Sequence, residues 1–93
     1  MSYRFESLDY PAPERKLNAY YADFLPALPD KRRAHEHPGA EFIYALNGAL
    51  IVQIAGEEHT LHAGDSMYFD SSQPHSYRRG GRAACSAIIV TTP

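Results

Sequence analysis

Short apolar and β-branched runs separated by turn signals recur along this chain, and they predict strands over most of its length. The turn signals are Asn47-Gly48, Ala55-Gly56, Ala63-Gly64 and Gly80-Gly81. Many short strands divided in this way are typical of an antiparallel sandwich or barrel. We therefore expect an all-β fold, with strands near residues 3–8, 42–46, 49–54, 57–61, 66–69, 75–78 and 83–91.

The first third of the chain is less regular. Residues 9–14 contain two prolines and are typical of a linker, and residues 26–30 again break regular structure. Between them, residues 17–25 form an apolar, aromatic run that suits a strand or a short helix, and periodicity alone does not decide between the two.

The Asn47-Gly48 pair predicts a hairpin between its flanking runs, because both residues of a type I′ turn take positive φ. Counting back from a two-residue turn pairs Leu46 with Ala49 and Glu41 with Ile54. Glu41 then lies on an otherwise apolar face, whose other members are Ile43, Ala45, Leu50, Val52 and Ile54. A carboxylate there is costly unless it is paired, hydrogen-bonded or bound to metal.

The opposite face of this predicted hairpin carries Phe42, Tyr44, Leu46 and Ile51. That is more apolar area than a small monomer should expose, which predicts a homodimer. An N-terminal strand or a second sheet covering the face within one chain is the alternative.

Length and charge limit the class of protein. At 93 residues we expect one domain over 1–93. The net charge of −2 and the lack of a basic run argue against direct nucleic-acid binding. No apolar run approaches membrane-spanning length, and the single Cys85, expected in the core, suits a reducing cytoplasm.

Four residues form a candidate metal-ligand set: His35, His37, Glu41 and His75. Imidazole and carboxylate donors together suit Fe, Ni, Zn, Mn or Cu. In an extended strand His35, His37 and Glu41 share a face if the Pro38-Gly39 step causes no register slip, so one strand would supply three ligands.

These residues resemble those of the cupin family of small β-barrels, or jelly-rolls. The first family motif, His-x-His-x3-Glu-x6-Gly, is matched by His35, His37, Glu41 and Gly48. The second, Gly-x5-Pro-x-Gly-x2-His-x3-Asn, is matched at Gly64 and His75, whereas Asp70, Ser72 and Arg79 replace its Pro, Gly and Asn. The resemblance implies one divalent transition metal held by the two motif-one histidines, the glutamate and His75. It also favours a strand at residues 17–25, and it implies a core of about 33–90 with leading strands in 1–30.

Residues 37–44 and 64–75 are similar to the C-terminal cupin of bacterial helix-turn-helix regulators, which senses a small effector. The likeness implies a DNA-binding partner domain, which these 93 residues do not include. We therefore expect a sensing module that binds a small organic ligand, either a separated domain of a regulator or a stand-alone relative. The alternative is a small metal-dependent enzyme of dioxygenase or isomerase type, but the inferred cavity offers few acid or base groups.

The expected ligand pocket lies beside the metal. Its apolar wall would be Ile43, Leu50, Val52 and Ile54, with Tyr77 as a hydrogen-bonding tip. Arg79 shares the strand parity of His75 and Tyr77 and is a further candidate. His59 and His62 lie in a polar run and are expected to be exposed.

Overall fold

The computed structural model describes residues 3–8, 16–25 and 36–92, which contain eight β-strands. The strands are β1 (Tyr3–Ser7), β2 (Asn18–Phe24), β3 (Ala40–Asn47), β4 (Ala49–Ile54), β5 (Glu57–His62), β6 (Ser66–Asp70), β7 (His75–Arg79) and β8 (Cys85–Thr91). The all-β prediction is confirmed, and the run at residues 17–25 is a strand. Within the described ranges there is no helix long and apolar enough to cross a membrane.

The strands form two antiparallel sheets. The larger has the order β1-β2-β8-β3-β6, and the smaller has the order β5-β4-β7. Alternation places one residue in two of each strand in the space between the sheets. The core combines apolar side chains of both sheets: Ala22, Phe24, Ile43, Ala45, Leu50, Val52, Ile54, Leu61, Phe69, Tyr77, Cys85, Ala87 and Ile89.

The predicted hairpin at Asn47-Gly48 is wrong. β3 pairs with β6 and β8, whereas β4 pairs with β5 and β7, so the chain passes from one sheet to the other at Gly48. Asn47 belongs to β3 and lacks the positive φ that a type I′ turn requires. The members of the predicted inner face are all buried, but they do not share one face. Glu41, Ile43 and Ala45 lie in the larger sheet, and Leu50, Val52 and Ile54 lie in the smaller one.

Gly48 is needed for the crossing itself. Its φ of 74° lies in the left-handed region, and a Cβ there would lie 2.3 Å from the Ala84 carbonyl oxygen. A side chain at this position would therefore be strained and would also collide with backbone.

The true two-residue hairpin joins β4 to β5. Ala55 and Gly56 have φ values of 49° and 87°, and they are flanked by the paired residues Ile54 and Glu57. Ala55 is thus a non-glycine residue in the left-handed region, a conformation that costs about 1–2 kcal/mol.

Candidate metal centre and cavity

Glu41 lies on the inner face of the larger sheet, where β3 pairs with β6 and β8. Its cross-strand partners are Phe69 and Thr91, and the residue is only 3% exposed. The register of three strands thus fixes a carboxylate inside the barrel.

His75 opens β7 in the smaller sheet and is 2% exposed. Its Nδ1–H donates to the carbonyl oxygen of Gln73 at 2.8 Å. A carbonyl only accepts, so the proton of the neutral ring is on Nδ1 and Nε2 carries a lone pair. That Nε2 lies 3.6 Å from Glu41 Oε1. The backbone contact is the kind that orients a metal-binding histidine.

His37 reaches the same carboxylate from the segment before β3. Its Nε2 lies 3.2 Å from Glu41 Oε1, and its Nδ1–H donates to the Pro38 carbonyl oxygen at 3.3 Å. The His37 backbone N–H donates to the Ser71 carbonyl oxygen at 2.9 Å, which ties this segment to the end of β6. Both imidazoles therefore turn Nε2 toward Glu41.

The surroundings of Glu41 suit a cation. Burial raises the pKa of its carboxyl group, and the nearby His37 opposes that shift through its charge and hydrogen bond. Glu41 Oε2 is buried and has no hydrogen-bond partner among the described residues. An unpaired buried carboxylate oxygen is costly, and bound metal is one of the few ways to compensate for it.

The spacing of the donor atoms also suits one ion. One ligand atom each from His37, Glu41 and His75 lies within 4.8 Å of the others. Two ligands bonded to the same ion at about 2.1 Å lie about 3 Å apart when the bonds meet at right angles. The observed separations of 3.2 and 3.6 Å are close to that value.

Three of the four predicted metal ligands are thus brought together, and His35 lies outside the described residues. The prediction that one strand supplies three ligands is wrong, because β3 begins at Ala40 and His37 precedes it. Gly39, with a φ of 99°, turns the chain between the two. The predicted register through Pro38-Gly39 fails for this reason.

A cavity of about 340 Å³ opens beside these donors. Its lining includes His37, Glu41, His75 and Tyr77, together with four residues that the motifs do not reveal: Phe5, Tyr20, Ile89 and Thr91. They come from β1, β2 and β8, which follow one another outward from β3 in the larger sheet in the order β8, β2, β1. The sequence signal for these four residues is their alternation along strands. That signal cannot place them at the cavity until the order of the strands in the sheet is known.

Of the six predicted pocket residues, Tyr77 alone is in the described lining of this cavity. Ile43, Leu50 and Val52 have no exposed surface and Ile54 is 9% exposed, so all four belong to the core. The Tyr77 hydroxyl is buried without a hydrogen-bond partner among the described residues. Arg79, paired with Leu50, donates through Nη2 to the Arg82 carbonyl oxygen.

Two further expectations concern residues away from the cavity. His59 and His62 on β5 are exposed, as predicted. Cys85 is a buried core residue, and burial raises the pKa of its thiol while the charge of Arg79 partly opposes the shift.

Comparisons with known proteins agree with this architecture. A family model described as a cupin domain matches residues 28–91. The transcriptional regulator PuuR of Escherichia coli (strain K12), described as HTH-type, is 28% identical over 81 residues, covering 87% of this chain and 43% of PuuR. The chain thus spans a little under half the length of this curated relative.

Solved structures share the fold. The cupin domain of an XRE family transcriptional regulator from Enterobacter cloacae has a TM-score of 0.80 at 20% identity, covering 100% of this chain and 99% of that one. Iron(II) HppE has a TM-score of 0.84 at 24% identity, covering 97% and 50%. Hydroxypropylphosphonic acid epoxidase from S. wedmorenis has a TM-score of 0.80 at 23% identity, covering 99% and 51%. At these identities the likeness establishes the fold alone.

Proposed function

This chain belongs to the cupin family, and from that premise we propose that it is a metal-dependent sensing domain for a small organic ligand. The metal ligands are His37, Glu41 and His75, joined by His35. The bound metal would supply a positive charge and open coordination positions for a carboxylate or carbonyl group of the ligand.

The observation that carries this proposal is the buried carboxylate of Glu41. Its Oε1 is approached by two imidazole Nε2 atoms, and its Oε2 is without a partner among the described residues, at the wall of a cavity. A purely structural glutamate would be expected to have its buried oxygens satisfied by hydrogen bonds.

Sensing is favoured over catalysis because the described cavity lining is poor in acid and base groups. Beyond the three metal-ligand candidates it contributes Phe5, Tyr20, Tyr77, Ile89 and Thr91, of which only the tyrosines and the threonine are polar. The likeness to helix-turn-helix regulators supports the same choice, with a DNA-binding partner domain receiving the signal.

The experiment combines binding and turnover on one preparation. Protein purified without a histidine tag is reconstituted with a divalent metal and mixed with small organic acids, while thermal shift, oxygen uptake and product formation are followed. We expect stabilisation without turnover. His75→Ala should lose both metal and ligand, whereas Thr91→Phe, which fills the cavity, should lose only the ligand. Retained ligand binding in metal-free protein would contradict the proposal.

A metal-dependent oxygenase or isomerase is the second candidate. It is supported by the structural likeness to HppE, which has been solved with iron(II) and with cobalt(II). Repeated turnover by the wild type that is lost on metal removal would establish this function in place of sensing.

A further inference from the structure

We infer that the cavity selects a small planar acid carrying a single negative charge, and that Phe5 and Tyr20 form the wall that recognises its ring. The inference rests on the proposed metal-dependent binding and adds the class of ligand. Neither aromatic residue belongs to the metal-ligand pattern.

The aromatic wall lies on the two strands at one edge of the larger sheet. Phe5 of β1 and Tyr20 of β2 have ring centroids 5.5 Å apart with an angle of 30° between the planes. Both line the cavity, yet 48% of Phe5 is exposed. An apolar ring left half-exposed at a cavity gains free energy when a ligand covers it.

The opposite wall also presents rings. His75 and Tyr77 of β7 line the same cavity from the smaller sheet, with ring centroids 6.0 Å apart. A cavity with rings on both sheets favours a flat occupant, because stacked and edge-on arrangements of aromatic rings are worth about 0.5–1.5 kcal/mol beyond the area they bury.

Charge restricts the ligand further. No lysine or arginine is found in the described lining of the cavity, and Glu41 is its single carboxylate. A divalent ion held by one carboxylate and neutral imidazoles leaves one unit of positive charge. A monocarboxylate balances that charge, whereas a dicarboxylate or a dianionic phosphate would bury an excess negative charge.

The cavity volume sets the size of the ligand. About 340 Å³ is near the lower end of the range of small-molecule sites, which is roughly 300–1,000 Å³. The space therefore suits a single ring with its acid group.

Benzoate is a suitable probe, with cyclohexanecarboxylate as a non-planar control and acetate as a control without a ring. Metal binding is first measured by calorimetry with Fe, Ni, Zn, Mn and Cu ions, and the tightest-binding metal is used to load the protein. The three acids are then titrated into wild type, Phe5→Leu and Tyr20→Leu. The matched control is Phe42→Leu, which alters a phenylalanine on the outer face of the same sheet.

We expect wild type to bind benzoate about three- to tenfold more tightly than cyclohexanecarboxylate, with acetate weakest. Phe5→Leu and Tyr20→Leu should remove most of the preference for benzoate without changing metal affinity, and Phe42→Leu should retain it. Because leucine keeps the apolar bulk, the ratio between two acids of similar size reports the ring and not the stability of the fold.

The failures are distinguishable. If no metal binds, the proposed function fails and this inference fails with it. If metal binds but benzoate is not preferred, or if Phe5→Leu and Tyr20→Leu keep the preference, the ligand class is wrong and the metal site stands.

Discussion

His75 Nε2 lies 3.6 Å from Glu41 Oε1, although the two residues belong to different sheets. Glu41 lies on β3 of the five-stranded sheet and His75 opens β7 of the three-stranded sheet. The candidate metal centre is therefore also a contact between the two sheets. Its geometry depends on Gly39, which turns the chain between His37 and β3, and on Gly48, where the chain passes from one sheet to the other.

Gly48→Ala should destabilise the protein by about 2–5 kcal/mol, since it adds left-handed strain to a collision with the Ala84 carbonyl oxygen. Chemical denaturation of variants at two other glycines separates the backbone strain from the collision. Gly64→Ala has positive φ but open space and should cost about 1–2 kcal/mol. Gly81→Ala has neither problem and should be nearly neutral. Equal losses at all three positions would contradict this assignment.

Ala55→Asn should stabilise the β4–β5 hairpin by about 1 kcal/mol, because asparagine tolerates the left-handed conformation and Asn-Gly suits a type I′ turn. The side chain at this position is exposed, and the backbone N–H can still donate to the Pro74 carbonyl oxygen. Gly56→Ala is the opposing control and should lower the melting temperature. A lower melting temperature for Ala55→Asn itself would contradict the expectation that asparagine suits this turn better than alanine.

Tyr77→Phe should raise the stability of the metal-free protein by about 1 kcal/mol, because it removes a buried hydroxyl that has no described hydrogen-bond partner. If that hydroxyl bonds to the ligand, the same change should weaken benzoate binding to the metal-loaded protein. Thermal melts and calorimetry on one variant measure both effects. A destabilised variant would mean that the hydroxyl is already satisfied, and the role of Tyr77 as a polar tip would lose its support.

The homodimer remains a prediction, now placed on the outer face of the five-stranded sheet, because Ile51 of the predicted face belongs to the other sheet. Phe42 and Tyr44 are 37% and 41% exposed, and the register sets them beside Val90, Ile88 and the 73%-exposed Tyr68. Tyr44→Lys should shift sedimentation toward the monomer mass. Thr60→Lys, on the exposed outer face of the other sheet, is the control and should leave the mass unchanged. A wild type that sediments as a monomer at micromolar concentration would remove the prediction.

Much of the inner face was predictable because strand alternation depends only on local sequence. It correctly placed Glu41 with Ile43, and His75 with Tyr77, on buried faces. Strand pairing was harder to predict from the sequence. The Asn47-Gly48 signal indicates a local bend but does not say which strands hydrogen-bond to each other. Glu41 pairs with Thr91, fifty residues away (91 − 41), and that choice reflects the packing of the whole barrel.

The aromatic wall could not be predicted for the same reason. Phe5 and Tyr20 line the cavity from β1 and β2, which are joined to β3 in the sheet through β8. The candidate metal ligands, by contrast, were found from residue types and spacing, because donor chemistry is visible without a structure. His37 shows the limit of spacing, since it reaches Glu41 across a glycine turn and not along a strand.

Metal stoichiometry and affinity of the Glu41→Gln variant test the central claim most directly. Protein without a tag is titrated with each candidate metal and bound metal is counted, with Glu57→Gln on exposed β5 as the matched control. We predict one ion per chain in the wild type and in Glu57→Gln, and at least about tenfold weaker binding in Glu41→Gln. A wild type that binds no metal, or a Glu41→Gln variant that binds it equally well, would contradict the account.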